Sequence, residues 1–251
     1  MNEQLAALDA RIDVLEGEPL TLLQALHEHT PFNHLFSYEE TGLGVTFDRD
    51  QKVAALCANL GIEWHEFQTN GVQRGRQDRR GWNRAWHQVM GEREAEIDLC
   101  KVAAWCQPAP AALAGMRCKR LVGWQARNAA FQPGGSPSAH AVLERFLEHR
   151  GHGYQRHISK PATSRVHCSR LSPYLAWGNL SLRQAYQALK RRQRQNSWGR
   201  ALSAFESRLH WHCHFIQKFE MECRMEFEDL NRGYLAHPRH HDPEHLAAWR
   251  E

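Results

Sequence analysis

The chain has 251 residues, of which 42% are hydrophobic and 24% charged, enough for one large core or two small ones. No apolar run approaches the roughly 20 residues that span a bilayer, and the first ten residues lack a basic segment followed by an apolar one; no membrane contact is expected, and a cytoplasmic location is. A formal net charge of +4 excludes a histone-like polycation but permits an acidic partner, and seven scattered cysteines with no C-x-x-C spacing fit a reducing compartment.

In chain order, short apolar runs alternate with helical ones. Strands are expected over 12–15, 34–38 and 62–67. Helices are expected over 20–29, with Leu20, Leu22, Leu23 and Leu26 on one face, and over 47–60, ended by Gly61 in a C′ position. This βαβαβ order implies a parallel, Rossmann-like α/β part. The middle is less regular: a charged loop with Arg74, Arg76, Arg79 and Arg80, a helix over 82–90, and a Pro/Gly-marked connection containing Pro108, Pro110, Pro133, Gly134 and Gly135. From Ser138 onward the pattern is all-α, with helices expected over 139–149, 174–192 and 198–222. The expected division is therefore α/β over 1–96, a linker crossing the surface over 97–137, and a helical part over 138–251.

Residues 169–181, SRLSPYLAWGNLS, put two hydroxyls and an arginine on a turn that enters a helical segment, with Pro173 near its first position. Free N–H groups and the helix dipole favour an anion there, and Ser169 and Ser172 add donors. By spacing alone, simple self-capping is the more common explanation of such a turn. Over 198–222, Leu202, Phe205, Leu209, Ile216 and Phe219 form a core stripe, leaving Arg208, Trp211 and His212 largely off it. His210 and His214 have the i, i+4 spacing of helical zinc ligands, but no Glu follows His210 and Cys213 points elsewhere, so no metal site is expected. The basic runs at 74–80 and 190–194 read as solvated faces that would touch phosphates if the chain binds nucleic acid.

In wording, residues 169–181 resemble the pyrophosphate-binding turn of the photolyase and cryptochrome flavoproteins, T-S-R-L-S-P-Y-L followed by a small residue, an aromatic and G-x-L-S. Gly153-Tyr154 and Pro161 precede it, and Trp211 and Phe215 follow it, in that family's order. A bacterial branch of the family also reads L-H-W-H-C-H-F, as residues 209–215 do here. The resemblance implies that Tyr154, Cys168, Ser169, Arg170, Leu171 and Ser172 bind the phosphates of FAD. Cys168 stands where Thr is usual, replacing a good donor by a weak one, and extra residues before it imply a longer preceding loop.

By the same resemblance Arg208, Trp211, His212 and Phe215 face DNA, with Trp211 as a stacking platform for a flipped pyrimidine dimer. The usual Glu and Arg beside that Trp are Arg208 and His212 here. The implied activity is light-driven electron donation from reduced FAD to the dimer, with no general acid, base or nucleophile to name. The alternatives are a cryptochrome-like photoreceptor without repair and an inactive shortened product of either. The family's opening strand and R-x-D-L-R segment have no counterpart before Ile12, and residues 247–251 match the approach to a block that does not follow. A chain truncated at both ends, monomeric, with FAD as cofactor and the antenna chromophore undefined, is the expectation.

Overall fold

The computed structural model describes residues 2–118, 128–195, 198–238 and 240–250; residues 119–127 of the expected linker lie outside them. After a short helix α1 (Asn2–Ala6), α2 (Pro19–His29) starts where the Glu18 carboxylate accepts the N–H groups of Leu20 and Thr21. Strand β1 (His34–Tyr38), α3 (Gly44–Leu60) and β2 (Glu63–Phe67) follow. Gly61, at φ +70°, ends α3 in the left-handed region, as expected of a C′ glycine, and the Ile62 N–H returns to the Cys57 carbonyl. The strands pair in parallel, His34 opposite Glu63 and Phe36 opposite His65. One face packs Leu35 and Trp64 against Val53, Cys57, Leu20 and Leu23 of the helices.

The strand expected over 12–15 does not join this sheet. Leu15 makes a single antiparallel bridge to Arg117, and the Cys118 N–H donates to the Val14 carbonyl. Ile12 and Val14 remain about two-fifths exposed, so the segment lacks the buried apolar faces of a parallel strand. Among the described residues the sheet is consequently two-stranded.

Helix α4 (Trp82–Gly91) buries Trp82, Trp86 and Met90 along one stripe, and that stripe packs into the helical core rather than against the sheet. Helix α5 (Leu99–Trp105) buries nothing. The rest is α6 (Ser136–Glu148), α7 (Tyr154–His157), α8 (Pro161–His167), α9 (Ser172–Ala176), α10 (Leu182–Gln195), α11 (Gly199–Met221) and α12 (Pro243–Arg250). Where a longer loop was expected before the serine turn, α8 is a helix.

The single helix expected over 174–192 is broken in two. Gly178 at φ +66° closes α9, with the Asn179 and Leu180 N–H groups returning to the Tyr174 carbonyl. Ser181 and Gln184 then open α10 as a capping box, each side chain accepting the other's backbone N–H at 2.9 and 3.0 Å. Helix α10 buries Leu182, Ala185, Tyr186 and Leu189, a spacing that makes one apolar stripe. Among the described residues no helix is long and apolar enough to cross a membrane.

Candidate anion-binding turn and the helix behind it

The segment Cys168 to Pro173, with Gln132, lines a cleft of about 250 Å³. Leu171 is fully buried and anchors it in the core, while Ser169, Arg170 and Ser172 sit at its wall. Arg170 is at φ +62°, one of few non-glycine residues in the left-handed region, and Leu171 returns to the right-handed one. Alternation of this kind turns successive N–H groups toward a common point. Among the described residues the N–H groups of 169–172 and the Ser169 and Ser172 hydroxyls have no hydrogen-bond partner, and the Arg170 guanidinium pairs with no acid. Helix α9 has five residues, so its dipole is smaller than the expected long helix would supply.

Arg150 stands behind this turn and was not legible from any spacing. Its guanidinium donates to the carbonyls of Cys168 (2.8 Å), Val166 (3.1 Å), Ser169 (3.3 Å) and Val142 (3.3 Å). Burial, with Arg145 and Arg170 nearby, holds it below its ordinary value, consistent with a cation surrounded by carbonyl dipoles and no carboxylate. Gln132 similarly donates to the Arg170 carbonyl at 2.9 Å. In a trans peptide the N–H points opposite the C=O. Fixing the carbonyls of Cys168, Ser169 and Arg170 therefore turns the N–H groups of Ser169, Arg170 and Leu171 away from their clamps.

Tyr154 is buried, its ring edge-to-face with Phe146 at 5.3 Å and Phe205 at 5.8 Å. Burial, reinforced by Cys168 and opposed by Arg208, pushes its hydroxyl up to about 12, so it stays a neutral donor. Tyr154 thus lies within electrostatic reach of both the turn and α11, bringing together two groups predicted separately. Cys168 is half-buried and its thiol is raised by burial despite Arg170 and Arg150.

On α11 the fully buried row is Ala201, Phe205, Leu209, Cys213 and Gln217, joined by Leu202. The expected stripe ran through Ile216 and Phe219, which are only partly buried; the observed row follows i, i+4 spacing and drifts around the helix. Arg208, Trp211 and Phe215 stand on the other side. The Arg208 guanidinium lies 3.9 Å over the Trp211 ring, and Phe215 meets that ring edge-on at 5.8 Å. Trp211 is 42% exposed and Phe215 more so. His212 is drawn further in than its period predicts, and burial lowers its pKa.

The basic runs are largely used within the fold. Arg74 makes a two-pronged pair with Glu66 at 2.7 and 2.8 Å, Arg79 covers Trp82 at 4.3 Å, and Arg80 pairs with Asp78. Lys190 pairs with Glu206 at 2.7 Å, and Arg192 donates to the Leu147 carbonyl. A second cleft of about 470 Å³ opens at the C-terminal ends of the strands, and its one arginine, Arg49, is bound by Glu40 and Asp50.

No protein-family model matches the sequence, and no curated protein does. Solved structures do. A bacterial class III photolyase from Agrobacterium tumefaciens matches with a TM-score of 0.75 at 17% identity, over 99% of this chain and 53% of its own. A photolyase from Sulfolobus tokodaii, whose crystal structure holds two FAD molecules, matches with a TM-score of 0.69 at 17% identity, over 100% of this chain and 53% of its own. A cryptochrome from Synechocystis sp. PCC6803 matches with a TM-score of 0.69 at 19% identity, over 99% and 54%. The chain spans about half the length of these proteins, and over that length it has the photolyase and cryptochrome fold.

Proposed function

We propose that this chain supplies the phosphate-holding side of a flavin site in a light-driven DNA-repair protein of the photolyase kind. The observation that carries the reading is the Cys168–Pro173 turn: three clamped peptide planes, with two hydroxyls and an arginine that have no partner among the described residues, around one cleft. That donor set fits the pyrophosphate of FAD, which needs several N–H and O–H donors and a cation but no acid. Ser169, Arg170 and Ser172 would hold the phosphates, with Tyr154 as a neutral hydroxyl beside Cys168. A bound flavin would supply light absorption and one-electron transfer. The chain's own part is to orient the dinucleotide and, through Trp211 and Phe215, to offer flat apolar surface to an unstacked base in dimer-containing DNA.

Titration of the chain with FAD and with ADP tests this. Both should bind weakly and compete, and Ser169→Ala/Ser172→Ala should weaken each by at least about tenfold, since each hydroxyl lost removes one hydrogen bond to a charged group. FAD binding unaffected by that double substitution, or not displaced by ADP, sinks the reading.

One observation favours a second reading, a photoreceptor without repair. Arg208 already covers the Trp211 ring at 3.9 Å, so a base stacking on that face must displace it. Repair predicts preferential binding of ultraviolet-irradiated oligonucleotide over the unirradiated one, lost in Trp211→Ala; equal binding of both favours the photoreceptor.

A further inference from the structure

The face of the β1–β2 sheet that, among the described residues, packs on no helix carries a group of side chains outside the cleft and the α11 row. Register places His34 opposite Glu63, and His65 two positions further on β2, all on one face. The His34 Nδ1 lies 3.1 Å from the His65 Nε2 and 3.5 Å from the Glu63 Oε2, and the His65 Nε2 lies 3.5 Å from the Glu63 Oε1. Around a tetrahedral Zn²⁺ with bonds of roughly 2.0–2.1 Å, neighbouring ligand atoms are about 3.3 Å apart. The three side chains therefore already span one face of such a tetrahedron.

We propose that His34, Glu63 and His65 form a binding site for a divalent transition-metal ion of the Zn²⁺ class, with the remaining coordination position open to solvent. Two imidazoles and one carboxylate select such ions over Mg²⁺ and Ca²⁺, which prefer all-oxygen shells. Phe36 holds the rings in place: it stacks on His65 at 4.7 Å with 12° between planes, and lies 6.1 Å from His34 at 28°. As bare exposed ion pairs these contacts would contribute little. With an ion bound they tie the two strands together, and a two-stranded sheet over a core as small as Val53, Cys57 and Ile62 gains most from such a tie.

The test uses the full chain, stripped with a chelator and titrated calorimetrically with ZnCl₂, then with Co²⁺ as a spectroscopic stand-in. The proposal expects one Zn²⁺ per chain, an affinity reduced at least ~10-fold by His34→Ala, by His65→Ala and by Glu63→Gln, and no response to Mg²⁺. Bound Co²⁺ should give the visible bands of a tetrahedral nitrogen and oxygen shell without a thiolate charge-transfer band. Glu63→Gln keeps the size of the side chain on an exposed face, and far-ultraviolet circular dichroism of each variant reports its fold. Zn²⁺ uptake unchanged in folded Glu63→Gln, a thiolate band from any of the seven free cysteines, or no Zn²⁺ uptake at all overturns the proposal.

Discussion

Arg150 shows how a residue that touches no ligand can still decide what a ligand meets. Its four carbonyl contacts leave Cys168 and Ser169 with their oxygens drawn inward, and peptide planarity does the rest. Lysine at this position keeps the charge but loses the planar fork that serves two carbonyls per nitrogen. Arg150→Lys should therefore fold, at a cost of about 1–3 kcal/mol in urea denaturation for the carbonyls it leaves unpaired. Its affinity for ADP should fall about tenfold as the turn loosens. Unchanged ADP affinity in a measurably destabilised Arg150→Lys would make the arginine a structural strut with no bearing on the turn. The serines of this turn were legible as candidates through the wording of the whole 169–181 run, because hydroxyls, arginine and proline in that order more often mark simple self-capping when taken alone. Arg150 and Gln132 were not, since they act on main-chain atoms of a distant segment and side-chain spacing holds no record of that.

At the scale of elements, the long helix α11 is the member on which the others converge, and its least expected core residue is polar. Gln217 is fully buried and pairs with the backbone of Gln73 in both directions, accepting from the N–H at 2.7 Å and donating to the carbonyl at 3.0 Å. A hydrophobic stripe search passes over it, just as it passed over Cys213 and favoured Ile216 and Phe219. Gln217→Ala leaves both Gln73 groups without partners in a dry site, so urea denaturation should register a loss of about 1–3 kcal/mol, and Gln217→Leu should recover little because the unpaired groups remain. A fully stable Gln217→Leu would mean that water reaches Gln73. Helices α4 and α6 were readable from their apolar spacing, and α3 from its stop at Gly61. The break at Gly178 was also written in the chain, as Gly-Asn followed by S-x-x-Q, but the apolar period from Tyr174 to Leu189 runs across it and masked it. Residues 12–15 failed for the opposite reason: a β-rich composition that, among the described residues, makes a single bridge, from Leu15 to Arg117.

Across the whole molecule, the joint between the sheet-bearing part and the helical part is rich in histidine. His210 lies 4.9 Å from both Trp82 and Trp86, bonds Asn83 at 3.2 Å, and has His87 and His214 as neighbours. Burial lowers the pKa of His210, helped by the like charges that His214 and His87 would carry, and burial alone lowers His212. His214 is lowered by burial and by Arg79 and Lys218. Each is thus harder to protonate in the folded chain than in the unfolded one, whose imidazoles titrate near 6.5. Below that pH the unfolded chain takes up protons that the folded chain resists, so stability is full above about pH 6.5 and falls as pH drops through the folded values. Glu206, which burial would raise but which Lys190 and Gln193 together lower, acts in the same direction but at the lower pH of carboxylates. Urea midpoints measured from pH 7.5 down to 5.5 should therefore decline for the natural chain. In His210→Gln/His212→Asn/His214→Gln the midpoint at pH 7.5 reports lost packing, whereas its slope with pH isolates the protons. That slope should be at most about half the natural one, and an equal slope would place the acid sensitivity elsewhere among the 17 histidines.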